Sequence, residues 1–149
     1  MNTMKRKPYL IYVVDDDEDT QRRLWRAFSM TQPDCLLYEF TTGEEMLEHL
    51  SDTQDCPHLI LVNALTPATS HRQTMPQLLA EARLRSTPVV MLGVMFPETM
   101  GNWGQQPGAD VCMGLPCTHQ EAIQAVEQLR PVWTRLTQMP VDTRSMPYS

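Results

Sequence analysis

The side chains in this chain that could do chemistry gather where short apolar runs stop. Tyr9 to Val14 runs into Asp15-Asp16-Asp17; Leu59-Ile60-Leu61-Val62 stops at Asn63, Val89-Val90-Met91-Leu92 at Gly93, and Asp110-Val111-Cys112-Met113-Gly114 at Leu115-Pro116. Asp15, Asp16 and Asp17 place three carboxylates at the start of the helix that follows, where they read as a solvated acidic cap. Thr66, Thr69 and Ser70 bring hydroxyls after Asn63, but nothing in their spacing supplies a base, so they read as loop solvation. His49, His58, His71 and His119 lack paired ligand spacing, and Cys35, Cys56, Cys112 and Cys117 form no CxxC. Neither a zinc site nor a disulfide framework is indicated, and the cysteines read as reduced thiols partly in the core.

The elements that must position these residues follow from periodicity. Strand-like runs alternate with helix-like segments, the pattern of a parallel sheet covered by helices on both faces. Residues 9 to 14, 59 to 62 and 89 to 92 are continuously apolar, which predicts central strands, whereas Leu36 to Phe40 is weaker and reads as an edge. A first helix is predicted from about Glu18 to Met30, with Asp17 as N-cap and Leu24, Ala27 and Phe28 inside. A second follows Gly43 through Met46, Leu47 and Leu50, and a third covers about Thr74 to Leu84 through Leu78, Leu79 and Ala82. Between Val94 and Gly108 the residues Pro97, Gly101, Gly104 and Pro107 weaken any helix. The last helix begins near Thr118, with Ala122, Val126, Leu129, Trp133 and Leu136 at helical steps; Pro131 is expected to kink it or to end it at Arg130. Trp25 and Trp133 are expected to be core or partly buried anchors.

The chain has 149 residues, 42% of them hydrophobic, enough for one compact domain. Residues 1–7 read as an N-terminal arm, 8–137 as the domain and 138–149 as a disordered tail. A net charge of -6 with no basic cluster beyond Lys5-Arg6-Lys7 argues against nucleic-acid binding. The apolar run after that cluster is too short for a secretory signal, and no run approaches a membrane span, so a cytoplasmic protein is expected.

Four motifs recur at compatible spacing: Tyr12-Val13-Val14-Asp15-Asp16-Asp17; His58 to Asn63 with Pro67 four positions on; Thr87-Pro88 leading to Gly93; and Gly108-Ala109-Asp110 leading to Leu115-Pro116. Asn63 and Gly93 lie 30 residues apart, and Gly93 and Leu115 lie 22 apart. Over about residues 8 to 131 the chain resembles the receiver domain of two-component response regulators. The resemblance implies an α/β fold, a doubly wound, flavodoxin-like five-stranded parallel sheet in strand order 2-1-3-4-5. It also implies transfer of a phosphoryl group from a phosphohistidine to an Asp at the position of Asn63, with Asp15 and Asp16 as metal-binding carboxylates.

Against that pattern, the phosphoacceptor-equivalent Asn63 is a neutral amide that would not yield an acyl phosphate. The switch-equivalent positions are altered too. Gly93 has no hydroxyl to move, Cys112 replaces the aromatic switch, and Leu115 replaces a Lys and cannot compensate an anion. Mg²⁺ would meet two carboxylates rather than three, so its binding is expected to be weak. The resemblance places the partner or dimer face around the fourth helix, where Met95, Phe96, Met100 and Trp103 suit an adaptable surface.

The expected function is an atypical receiver in phosphorelay signal transduction, a pseudo-receiver that is not an enzyme and acts by phosphorylation-independent protein contact. Its expected partners are a histidine kinase, phosphotransfer or output protein, or a second copy of the chain. One alternative is a working receiver with another acceptor near Asp15 or Asp16. Another is a flavodoxin-like small-ligand binder, against which stands the lack of a glycine-rich phosphate loop after the first strand.

Overall fold

A computed structural model describes residues 7–63, 77–78, 80–82, 85–93 and 109–138, with backbone alone for 109–112 and 135–138. Five strands, β1 (Tyr9–Val14), β2 (Cys35–Phe40), β3 (Leu59–Asn63), β4 (Val89–Gly93) and β5 (Ala109–Gly114), form one sheet in the order β2-β1-β3-β4-β5. Every pairing is parallel. The expected doubly wound sheet is therefore present, with β2 on one edge. Loop residues Thr66, Thr69, Ser70 and His71, the expected partner residues Met95, Phe96, Met100 and Trp103, and positions 1–6 and 139–149 of the expected arm and tail lie outside the described residues.

The continuous apolar runs are explained by alternation between two cores. Ile11 and Val13 of β1, Leu59 and Leu61 of β3, and Val90 and Leu92 of β4 pack on one face with Leu24, Ala27, Phe28, Ala122, Val126, Leu129 and Trp133. Tyr12, Val14, Ile60, Val62, Val89 and Met91 pack on the other with Met46, Leu50, Leu78 and Ala82. Successive side chains in a strand point to opposite faces, so a strand buried on both must be apolar at every position.

Helices α1 (Glu18–Thr31) and α3 (His119–Gln138) cover the first face; α2 (Gly43–Ser51) and helical residues around 77–82 cover the second. The starts of α1, α2 and α3 are each capped by a side chain. Asp17 accepts the Thr20 N–H (3.3 Å) and Thr20 Oγ1–H (2.6 Å), and Thr42 Oγ1 accepts the Glu45 N–H (3.1 Å). Thr118 Oγ1 accepts the Glu121 N–H (3.0 Å) while Glu121 Oε1 accepts the Cys117 N–H (2.7 Å). Such caps satisfy amide donors that the first helical turn leaves open, each contributing about 1 kcal/mol. The helical residues near 82 close through a left-handed Ser86 (φ 57°), with the Thr87 N–H reaching back to Ala82 O (2.8 Å), a Schellman arrangement.

Two expectations are corrected. Trp25 is 54% exposed, because α1 buries Thr20, Leu24, Ala27 and Phe28 and a residue directly after Leu24 is rotated about 100° away. Pro131 does not end the last helix, which runs continuously to Gln138. Pro131 sits on the exposed side, where water can serve the carbonyl it leaves unpaired. Two residues later Trp133 is fully buried, its ring centroid 5.5 Å from that of Phe28 and the Arg130 guanidinium 5.8 Å from its own. Burying a large aromatic contributes a stabilisation of about the same size as the proline penalty of roughly 3 kcal/mol, so the final turns persist.

The two tryptophans are expected to respond oppositely to truncation. In urea unfolding, Trp133→Ala should lose about 3–5 kcal/mol, and Trp25→Ala should stay within about 0.5 kcal/mol of the parent. Equal losses would contradict the packing described.

Candidate functional site

The strand order reverses between β1 and β3, and in open α/β sheets the crevice beyond the carboxyl ends of such strands is where ligands gather. Asp15 directly follows β1, Asn63 ends β3, Gly93 ends β4 and Leu115 directly follows β5. The sequence-predicted residues are thus brought to one end of the sheet.

Asp15 is the centre of this end. It is fully buried, and its own N–H donates to Phe40 O (2.9 Å), tying the end of β1 to β2. Its Oδ1 accepts two hydrogen bonds, from the Asp17 N–H (2.8 Å) and from Asn63 Nδ2 (3.0 Å). Gln21 Nε2 donates to its carbonyl oxygen. Its Oδ2 is buried with no hydrogen-bond partner among the described residues. Burial pushes the Asp15 carboxyl up to about 6, and the nearby Asp17 and Asp16 charges add to the rise. The hydrogen bonds from Asp17 and Asn63 oppose it by stabilising the carboxylate. Asp16 is exposed, and Asp17, held by Thr20, is drawn below the ordinary carboxylate range.

The remaining positions contribute structure. The Leu115 N–H donates to Gly93 O (3.1 Å), and Gly93 pairs in register with Gly114. Leu115 is partly buried against the α1–α3 core, so its side chain completes apolar packing. Cys112 lies opposite Met91 within β5. Among the described residues no group of three or more His, Cys, Asp or Glu side chains is placed to hold a metal ion. The unpartnered Asp15 Oδ2 and the exposed Asp16 carboxylate are the oxygens such an ion could use. Two carboxylates fit at most a weakly held Mg²⁺ that keeps much of its water.

Other predicted residues fall elsewhere. His58, read as a strand-end residue, exchanges two hydrogen bonds with Leu10: its Nδ1 accepts the Leu10 N–H (3.0 Å) and its N–H donates to Leu10 O (2.8 Å). Burial lowers its pKa, which suits an imidazole that must keep Nδ1 unprotonated to accept. His49 packs among Tyr12, Tyr38 and Phe40 on the α2 face. Cys35, partly buried, and Cys56 and Cys117, both exposed, are free thiols.

One group escaped the sequence reading. An open cleft beside the start of α3 is lined by Asp19, Arg22, Arg23, Arg26 and His119. The four α1 positions follow the spacing i, i+3, i+4, i+7, the signal used to find apolar stripes; applied to basic residues it would have found this one.

No protein-family model matches the chain, and no curated protein matches it. Solved structures do. The phosphorylated cyanobacterial phytochrome response regulator RcpA is similar at 17% identity and a TM-score of 0.72, over 87% of this chain and 96% of that one. The signal receiver domain of a histidine kinase from Syntrophus aciditrophicus gives 20% identity and a TM-score of 0.69 over 91% of this chain and 97% of that one. The Mn²⁺-bound response regulator Rcp1 gives 17% and 0.68 over 85% and 94%. The chain has the receiver-type, flavodoxin-like fold. No helix among the described residues is long and apolar enough to cross a membrane.

Asp15 gives the site a pH signature. Its carboxyl titrates near 6 in the fold against 3.8 for the free group, so the folded state holds a proton that the unfolded state has released. Stability contributed by protonated Asp15 should fall as pH rises from about 4 through 6, by on the order of 2 kcal/mol. The near-isosteric Asp15→Asn can keep both accepted hydrogen bonds, so it should flatten this slope and be more stable than the parent at pH 7.5. Urea unfolding across pH 4–8 measures both, and an unchanged slope would contradict the burial of this carboxylate.

Proposed function

We propose that the chain is a receiver-type signalling module of a two-component pathway that works through protein contact, without phosphorylation at Asn63. The observation that carries the reading is the buried hydrogen bond from Asn63 Nδ2 to Asp15 Oδ1 (3.0 Å). An Asp at position 63 would put a second anion at that distance, tolerable only with a proton or a cation between them. The amide removes the nucleophile and takes over the neutralising contact. Gly93 and Leu115 agree with this, since neither offers a hydroxyl or a cation to a phosphoryl group.

The fold supports the pathway assignment. The similar RcpA structure is of a phosphorylated response regulator and that of Rcp1 is Mn²⁺-bound. Asp15 and Asp16 are the residues that would hold a divalent ion here, weakly, and its contribution when bound would be to neutralise the buried carboxylate. The partner is a histidine kinase, phosphotransfer or output protein, or a second copy, and the setting is cytoplasmic. Acceptance at Asp15 or Asp16 is the weaker reading, because Asp15 is fully buried and its Oδ1 is already occupied by two donors.

Incubation with acetyl phosphate and Mg²⁺ followed by intact-mass measurement should give no phosphoryl adduct on the parent chain. A Mg²⁺-dependent adduct, or tight binding of beryllofluoride, would overturn the proposal, and mapping it to Asp16 would favour the weaker reading. Asn63→Asp should lose about 1–3 kcal/mol at pH 7.5 in the presence of a chelator, and Mg²⁺ should restore part of that loss. Full stability of the variant without metal would show that the amide is not neutralising Asp15.

A further inference from the structure

The cleft beside the start of α3 is assigned no role by the reading above. Its lining sets three guanidiniums, from Arg22, Arg23 and Arg26, against the single carboxylate of Asp19, a local excess of two positive charges on a chain of net charge -6. The helical repeat puts the three arginines on one strip of α1, and His119 from the first turn of α3 also lines the cleft.

Internal partners use little of this charge. Arg23 Nη1 donates to Pro116 O (3.3 Å), which ties α1 to the loop after β5. Arg22 meets Asp19 at 3.3 Å, with both side chains more than half exposed, a pair of a kind that contributes little in water and yields readily to a competing anion. Arg26 makes no ion pair among the described residues. The Nδ1 of His119 is buried without a hydrogen-bond partner among them. The cleft has a volume of about 160 Å³. That is below the range of about 300–1,000 Å³ for pockets that enclose whole small molecules, yet ample for a single oxyanion group.

We infer that this cleft binds a tetrahedral phosphate-type oxyanion, held by the guanidiniums of Arg22 and Arg26 beside Arg23, which is bonded to Pro116 O. Guanidiniums match phosphate oxygens with paired, charge-assisted hydrogen bonds, and several converging on one small concavity favour a multivalent anion over chloride. The open mouth admits phosphate that is free or carried on the side chain of a partner protein, and the chemistry is the same for both. The assignment is independent of Asn63 and Asp15 and stands whether or not Asn63 can be phosphorylated.

The test is an NMR titration of the full chain, following the Arg Nε–H and His119 ring signals. Inorganic phosphate is added at constant ionic strength against chloride, followed by a phosphoserine peptide and the same peptide with Ser in place of phosphoserine. Saturable shifts at Arg22, Arg26 and His119 with phosphate are expected. Arg22→Ala and Arg26→Ala should each weaken binding about tenfold, the scale of one lost charge-assisted contact, with circular dichroism confirming that these surface variants fold. Trp25→Ala should bind as the parent does. A phosphopeptide that binds at least tenfold more tightly than inorganic phosphate identifies a protein-borne group; comparable affinities identify the free anion. Shifts that stay linear and match chloride, saturable shifts indifferent to both Arg variants, or equal binding of the unphosphorylated peptide would overturn the inference.

Discussion

A buried carboxylate, with one oxygen satisfied and the other without a hydrogen-bond partner among the described residues, is the constraint around which the carboxyl end of this sheet is arranged. Asp15 emerges from the strand that pairs with both β2 and β3, so it cannot move toward water without breaking the centre of the sheet. Burying an ionised carboxylate without compensation would cost several kcal/mol. The compensation comes from three directions: the Asp17 N–H at the start of α1, the Asn63 amide at the end of β3, and a proton when pH falls toward 6. Asn63 therefore has a structural role as well as a chemical consequence. Through its bond to Asp15, the Asn63 amide holds the ends of two neighbouring strands together.

The fold was legible because its burial is symmetrical. Three central strands covered on both faces had to be apolar at every position, and that is a signal a sequence carries openly at residues 11–14, 59–62 and 89–92. The site positions were legible for a related reason, since in a parallel sheet the chemistry lies where such runs stop. What could not be read was the direction of individual side chains. Trp25 has the composition of a core residue, but its position directly after Leu24 turns it outward. Pro131 has the composition of a helix breaker, yet Trp133 anchors the turns beyond it. Leu115 was read as standing where a cation would be, and its own contacts pack it against the α1–α3 core. In each case the outcome was set by packing that periodicity alone does not rank.

Charge on α1 divides along its length in a way that links the two sites. Glu18 and Asp19 lie in the first turn, where the helix dipole favours anions, and the basic strip begins one turn later. Asp17 closes the acidic end by capping the helix, while Arg23 closes the basic end by bonding to the loop that follows β5. That loop begins at Leu115, whose N–H is tied to Gly93. Asp15 is bonded to Asp17 at the start of α1, α1 carries Arg23 to Pro116, and Leu115 is bonded to Gly93, so the run from β1 to β4 around the carboxyl end of the sheet passes through α1 itself.

This arrangement bears on how a receiver-type fold could signal without covalent modification. In a switch that turns on phosphorylation, the new dianion supplies the energy by recruiting a hydroxyl and a cation that are otherwise idle. Here the equivalents are a glycine, which has no side chain to recruit, and a leucine, which already packs in the core. On the proposed reading, a change of state in this chain is driven from outside the strand ends, by a ligand or partner that binds one arrangement of α1 and the β5–α3 loop more tightly than another. The Arg23 to Pro116 contact spans those two elements, which makes an anion in the adjacent cleft a physical means of biasing their spacing, whatever happens at Asp15.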